Sequence, residues 1–222
     1  MDSLRNFAYE KVCTMLFCTL IGLFPMLTSD TTPMPKSSDG GRFDRAAWLR
    51  AALNVLARDG QARLNVEKLA GKLGVTKGSF YYHFRNRQDF IEKLLAFWEE
   101  EFTQRQLRAL AASKAPAHER LFRLAVRVER EQLNKFDTAF RCWAAQDTLV
   151  AKVVRRVDAA RFTAIKAIFA EIGFTGVDLI ERTRIFVLFH SSLGIVQVPD
   201  ESPVTDDLIR ERVRFFTQSR GD

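Results

Sequence analysis

The chain has 222 residues, 47% of them hydrophobic and 27% charged. That balance supports a sizeable buried core and excludes a globally disordered protein. The net charge is +7 and is unevenly placed. Residues 42–93 hold eleven Lys or Arg against five Asp or Glu, residues 94–222 twenty against eighteen, and residues 1–41 three against four. A basic excess confined to one segment is what contact with a polyanion requires.

The first segment, residues 1–41, is read as an extension. Val12 to Leu27 is an apolar run of 16 residues with Pro25 near its end, shorter than the roughly 20 residues of a spanning helix. Asp2 and Glu10 dilute the basic flank of a signal peptide, and no small-x-small cleavage site follows. The expected natural start is Met34, with residues 1–33 untranslated and no stable membrane association. A tether through residues 12–27 is the alternative. Cys13, Cys18 and Cys142 make neither a disulfide framework nor a zinc site, and a reducing cytoplasm suits them.

The first helix is expected over Arg45 to Ala57. Asp44 caps it, Leu49, Ala52, Leu53 and Leu56 form its apolar stripe, and Gly60 follows its end. From Leu64 to Phe84 the chain reads LNVEKLAGKLGVTKGSFYYHF, two short helices around a tight turn. Asn65 caps the first of them, and Gly74 ends it in the left-handed conformation that glycine adopts most cheaply. Val75 plugs the turn, and Thr76 offers a hydroxyl to cap the second helix. Leu69, Leu73, Val75, Phe80 and Phe84 share one small core, and Ala70 lets the helices cross closely. What faces outward on the second helix is Lys77, Ser79, Tyr81, Tyr82 and His83, a basic, hydroxylated and aromatic set.

With the run Trp48–Leu56, Gly60, Leu69-Ala70, Gly74-Val75, Tyr81-Tyr82-His83-Phe84, Arg87 and Phe90, this stretch resembles the DNA-binding domain of tetracycline-repressor (TetR) family transcription regulators. The likeness covers roughly residues 42–98, with the helix-turn-helix at residues 65–84. Lys77 and Tyr81, four apart, share one helix face and enter the major groove together, Lys77 toward guanine and Tyr81 toward a thymine methyl or base edge. Gly78 permits close backbone approach. Thr76, Ser79, Tyr82, His83 and Arg87 suit phosphate oxygens, which position without specifying. Glu67 departs from the family pattern, since it would repel phosphate, and is left out of the contacts.

A fourth helix opens after Asn86 and reaches as far as Ala112, with Asp89 favouring its dipole. Further helices are expected from Pro116 to about Asn134, Asp137 to Gln146, Thr148 to Ile172, Asp178 to Val198 and Asp206 to Ser219. No alternating strand pattern occurs, so the fold class is all-α: an N-terminal three-helix DNA-binding domain and a helical domain over residues 99–222. Val187, Leu188, Leu193, Ile195 and Val196 make one helix apolar nearly all round, hence buried on every side. Burial against a second copy across a two-fold axis satisfies it, and the resemblance implies the same, giving Leu188, Ile195 and Val196 as dimer-interface residues.

The resemblance also implies that the second domain holds a small-molecule pocket whose occupancy re-spaces the two recognition helices. Aromatic residues abound there, and Trp98, Phe140, Trp143 and Phe162 are the candidate lining for an apolar or aromatic effector. Expected partners are therefore palindromic double-stranded DNA, that effector and a second copy of the chain. No nucleophile elbow, H-E-x-x-H, P-loop or G-x-G-x-x-G is present, so neither catalysis nor a cofactor or metal is expected. The functional expectation is a sequence-specific regulator, a repressor released by its effector. The alternatives are a membrane-tethered regulator and an architectural protein that binds DNA of any sequence.

Overall fold

The computed structural model describes residues 44–193 and 203–218, and all its regular elements are helical. The apolar run 12–27, the Met34 start, Ile195 and Val196 lie outside the described residues. Helix α1 spans Arg45–Asp59, followed by a 3-10 turn at Gln61–Arg63; then come α2 (Val66–Leu73), α3 (Lys77–His83) and α4 (Arg87–Glu99). A π-helical turn, Glu100–Gln104, joins α4 to α5 (Arg105–Ala112) in one rod. The rest is α6 (Ala117–Arg130), α7 (Asp137–Ala144), α8 (Thr148–Ile172), α9 (Gly176–Ser192) and α10 (Asp206–Thr217). Among the described residues no helix is long and apolar enough to cross a membrane, and no group of His, Cys, Asp or Glu is placed to hold a metal.

The helix starts follow their caps. Asp44 accepts from the Ala47 amide at 2.7 Å, Asn65 from Lys68 at 2.8 Å and Asn86 from Asp89 at 2.9 Å, each satisfying a first-turn N–H that has no intrahelical partner. Asp147 and Thr205 do the same for α8 and α10. Thr76 does not: its hydroxyl caps nothing, and α3 opens instead on a backbone bond from Ser79 N–H to the Thr76 carbonyl. Gly74 closes α2 at φ 66°, and the Val75 amide returns to the Ala70 carbonyl at 3.0 Å, the Schellman closure expected of glycine there.

Two hydrophobic cores result. The first gathers Trp48, Leu53 and Leu56 of α1, Leu69 of α2, Phe80 and Phe84 around α3, and Phe90, Leu94 and Trp98 of α4. It continues through Phe140 and Trp143 of α7 into Val150, Val153 and Val157 of α8. The second joins Leu121 and Ala125 of α6, Ile165 and Phe169 of α8, Phe186 of α9 and Ile209, Val213 and Phe216 of α10. Helix α8, 25 residues and so about 37 Å long at 1.5 Å per residue, serves both cores with its two halves.

Between the cores lies a polar joint. The Arg161 guanidinium pairs with Asp137 and donates to Thr103 Oγ1 at 2.9 Å and to the Phe102 carbonyl at 3.4 Å. Asp137 is 1% exposed, so α7, α8 and the π turn meet at a buried ion pair.

Helix α9 differs from the expectation that it is buried all round. Thr183, Phe186 and His190 face inward, but Ile185 and Leu188 are exposed, Leu188 by 64%. A single chain supplies neighbours for one stripe of this helix only. Its apolar outer stripe is left to solvent.

Candidate nucleic-acid interface

The recognition element is short because its underside does the anchoring. Phe80 packs edge-on to Trp48 at 5.4 Å and Phe90 at 5.3 Å, and tilted against Phe84 at 4.9 Å. Those contacts fix the roll of α3 about its own axis. They leave Tyr81 and Tyr82 exposed by 62% and 64%, with Thr76, Lys77 and Gly78 also outward and Ser79 and His83 half-buried. A methyl group added at Gly78 would meet only Thr76 Oγ1, at 3.5 Å, so the outer surface of the first turn is open.

Lys77 and Arg87, both expected to contact phosphates or bases, make polar contacts within the chain. Lys77 Nζ lies 2.5 Å from Glu67 Oε1, an ion pair across the turn between α2 and α3. Their hydrogen bond lowers the Glu67 carboxyl and raises the Lys77 ammonium from their ordinary values. Glu67, left out as a contact on sequence grounds, is thus the ion-pair partner of Lys77 in the free chain. Arg87 Nη1 donates to the Leu64 carbonyl at 3.0 Å. That bond ties the start of α4 to the loop before α2, and the rest of the exposed guanidinium faces outward. Nearby, Asp89 accepts from Lys93 Nζ at 2.6 Å and from the Arg85 amide at 2.9 Å, which holds its carboxyl at about 2.

The second domain contains a small cavity of about 60 Å³ that opens to solvent. Its wall is chiefly apolar, with Phe102, Leu107, Leu124, Ile165 and Phe186 prominent, and its polar wall groups include Thr103, Gln106, Arg161, His190 and Ser191. None of the four aromatic residues expected to line an effector site is on that wall. Trp98 stacks on Phe140 at 4.2 Å, and Trp143 lies parallel beyond it, all inside the first core. Phe162 is half-buried on α8, beside Arg161 in sequence but on another helix face. Aromatic abundance marked the cores, as aromatic residues at helical spacing usually do. The sharper signal in the sequence was polar: His190, Arg161 and Asp137 each interrupt an apolar stripe, which only tertiary packing turns into a joint and a cavity wall.

A basic, aromatic helix displayed on a three-helix core and followed by a helical domain defines a helix-turn-helix fold. Residues 49–94 match the family described as bacterial regulatory proteins, tetR family. Over this domain, about a fifth of its length, the chain is similar to that family. Solved structures share the fold over most of their length. A transcriptional regulator from Rhodococcus sp. Rha1 is 17% identical with a TM-score of 0.60, over 78% of this chain and 92% of its own. A TetR/AcrR-family regulator from Thermobifida fusca is 18% identical with a TM-score of 0.56, over 79% and 97%. AibR, crystallised with isovaleryl coenzyme A and operator DNA, is 16% identical with a TM-score of 0.59, over 77% and 96%.

Proposed function

We propose that the chain is a sequence-specific, ligand-responsive transcriptional regulator that acts as a homodimer on a palindromic operator, most simply as a repressor. The observation that carries the DNA-reading half is the display of Tyr81 and Tyr82 on a helix whose other face is locked by Phe80 and Phe84. Two large aromatic rings, each more than 60% exposed beside Lys77, suit base edges and phosphates. Lys77 and Tyr81 read bases over the bare Gly78, while Thr76, Ser79, Tyr82, His83 and Arg87 hold the backbone.

A dimer is supported by the exposed apolar positions Val177, Ile185 and Leu188 on α9 and Phe215 on α10, the last 74% exposed. Leu188 joins Ile195 and Val196 in the proposed interface. Two recognition helices then address half-sites about 34–36 Å apart. Ligand coupling follows from the α4–α5 rod: its first end packs under α1 and α3, and its continuation forms part of the cavity wall. A ligand that favours a differently spaced dimer lowers operator affinity by its own differential binding.

The test is selection of bound DNA from a random duplex pool, followed by competition. A palindrome preferred over random duplex by about a thousandfold or more supports the reading. Equal affinity for all duplexes overturns it in favour of an architectural protein.

A further inference from the structure

Among the described residues, a buried side-chain oxygen on the wall of the cavity formed by α5, α6, α8 and α9 has no hydrogen-bond partner. Gln106 is 6% exposed. Its Nε2 donates to the Glu101 carbonyl at 3.0 Å, a bond that exists because the π turn brings that carbonyl round to α5. The bond also fixes which amide atom is which, since the oxygen in that place would face another oxygen. Oε1 is therefore the free end, buried and without a hydrogen-bond partner among the described residues. An acceptor left this way is unfavourable, and Gln106 is on the wall of this cavity and of a neighbouring pocket whose Arg120, Arg123 and Arg127 are each paired with a glutamate.

The other wall groups decide the charge of what would satisfy it. Arg161 is neutralised by Asp137. His190 Nδ1 lies 2.9 Å from the Phe186 carbonyl, which only accepts, so the proton sits on Nδ1 and Nε2 keeps its lone pair. Arg212, the cation whose field reaches His190, is paired with Glu129 at 2.7 Å. The described wall thus presents acceptors at Gln106 Oε1 and His190 Nε2, the hydroxyls of Thr103 and Ser191, apolar surface and no uncompensated positive charge.

We infer that this cavity binds a neutral, largely apolar small molecule carrying a hydroxyl or N–H group that donates to Gln106 Oε1, and that it rejects carboxylates and phosphate-bearing ligands. This rests on the ligand-responsive reading above and adds the chemical class. A site that holds a donor in this way discriminates against the analogue lacking it, because the buried acceptor is then left unsatisfied.

The experiment is calorimetric titration of the full chain with a matched panel. It comprises small neutral alkyl and aryl alcohols, phenols and secondary amides, their O- or N-methylated counterparts, and the carboxylates of the same skeletons. The expected result is binding by donor-bearing members at least tenfold tighter than by their methylated partners, with no carboxylate bound more tightly. In Gln106→Met, of similar volume, the preference should fall to within about twofold. Leu124→Trp, which fills the cavity from its half-buried rim, should weaken every member.

Tighter binding of carboxylates, equal binding of methylated members, an unchanged preference in Gln106→Met or no binding by any member overturns the inference. Operator binding is measured on the same preparation. A protein that holds its palindrome but refuses the panel refutes this assignment alone, whereas one that binds no DNA refutes the regulator reading.

Discussion

Gly78→Ala separates stability from DNA recognition at a single atom. The added Cβ lies on the first turn of α3 and meets only Thr76 Oγ1, at 3.5 Å, an ordinary contact. Nothing must shift to admit it, and the backbone is helical. Replacing glycine by alanine in a helix gains up to about 1 kcal/mol, chiefly by narrowing the unfolded ensemble. At this first-turn position roughly half of that is expected, and the corresponding rise in Tm is about 1–2 °C for a chain of this size. The same methyl lies one turn before Tyr81 and Tyr82 on the surface proposed to lie against the duplex. Holding the helix off by about its radius lengthens several contacts at once, each worth roughly 1–3 kcal/mol in discrimination, so affinity for the selected operator should fall at least tenfold. Thermal melting and fluorescence anisotropy on one preparation read both effects. A more stable variant that binds the operator as well as the parent would show that the Gly78 face does not meet DNA, and the assignment of Lys77 and Tyr81 would go with it.

Three further outcomes are expected. Glu67→Gln releases Lys77 from its ion pair and removes a negative charge from the DNA face, so low-salt affinity should rise severalfold and the salt dependence should steepen by about one counterion; weaker binding in a titration over salt would mean that Glu67 positions Lys77 instead. Arg161→Met strands the buried Asp137 and should lower stability by about 3–5 kcal/mol in urea denaturation followed by tryptophan fluorescence, whereas adding Asp137→Leu should restore most of it; a single-variant loss below about 1 kcal/mol would contradict a buried pair.

The last outcome concerns pH. His190 is held at about 4 by burial, below its ordinary value, so the unfolded chain takes the proton first as pH falls. The stability carried by the neutral ring is complete above about pH 6.5 and should fade toward pH 4, by about 2 kcal/mol at pH 5. Asp89, at about 2, adds its own loss only below about pH 4, where unfolded carboxylates protonate. His190→Gln should flatten the slope of urea midpoints between pH 6.5 and 4, and an unchanged slope would refute the assignment.

What could be read along the chain was whatever is decided within a few residues. Asp44, Asn65 and Asn86 start their helices, Gly60 and Gly74 end theirs, and α8 runs from Thr148 to Ile172 as its periodicity and Gly173 require. These are contests between neighbouring side chains and the backbone, and a linear text contains both contestants. The spacing of Phe80 and Phe84 against Lys77, Tyr81 and Tyr82 likewise separates the buried face of α3 from its outward one, because a helix converts spacing directly into direction. Even here Thr76 was misjudged as a hydroxyl cap, since a backbone turn can satisfy the same N–H.

Tertiary structure alone decided everything that depends on which helices become neighbours. Trp98, Phe140 and Trp143 went to a core because α4 and α7 meet there, and the cavity formed one turn further along, where a π turn breaks the regular ladder beside Gln106. Arg87 gained the Leu64 carbonyl, Lys77 gained Glu67, and Arg161 gained Asp137, 24 residues earlier in the chain. Such pairings are set by packing between distant segments, and the energy of a charge depends on what surrounds it. Local pattern carries the helices and their faces; only the assembled fold supplies the partners that give those faces their chemistry.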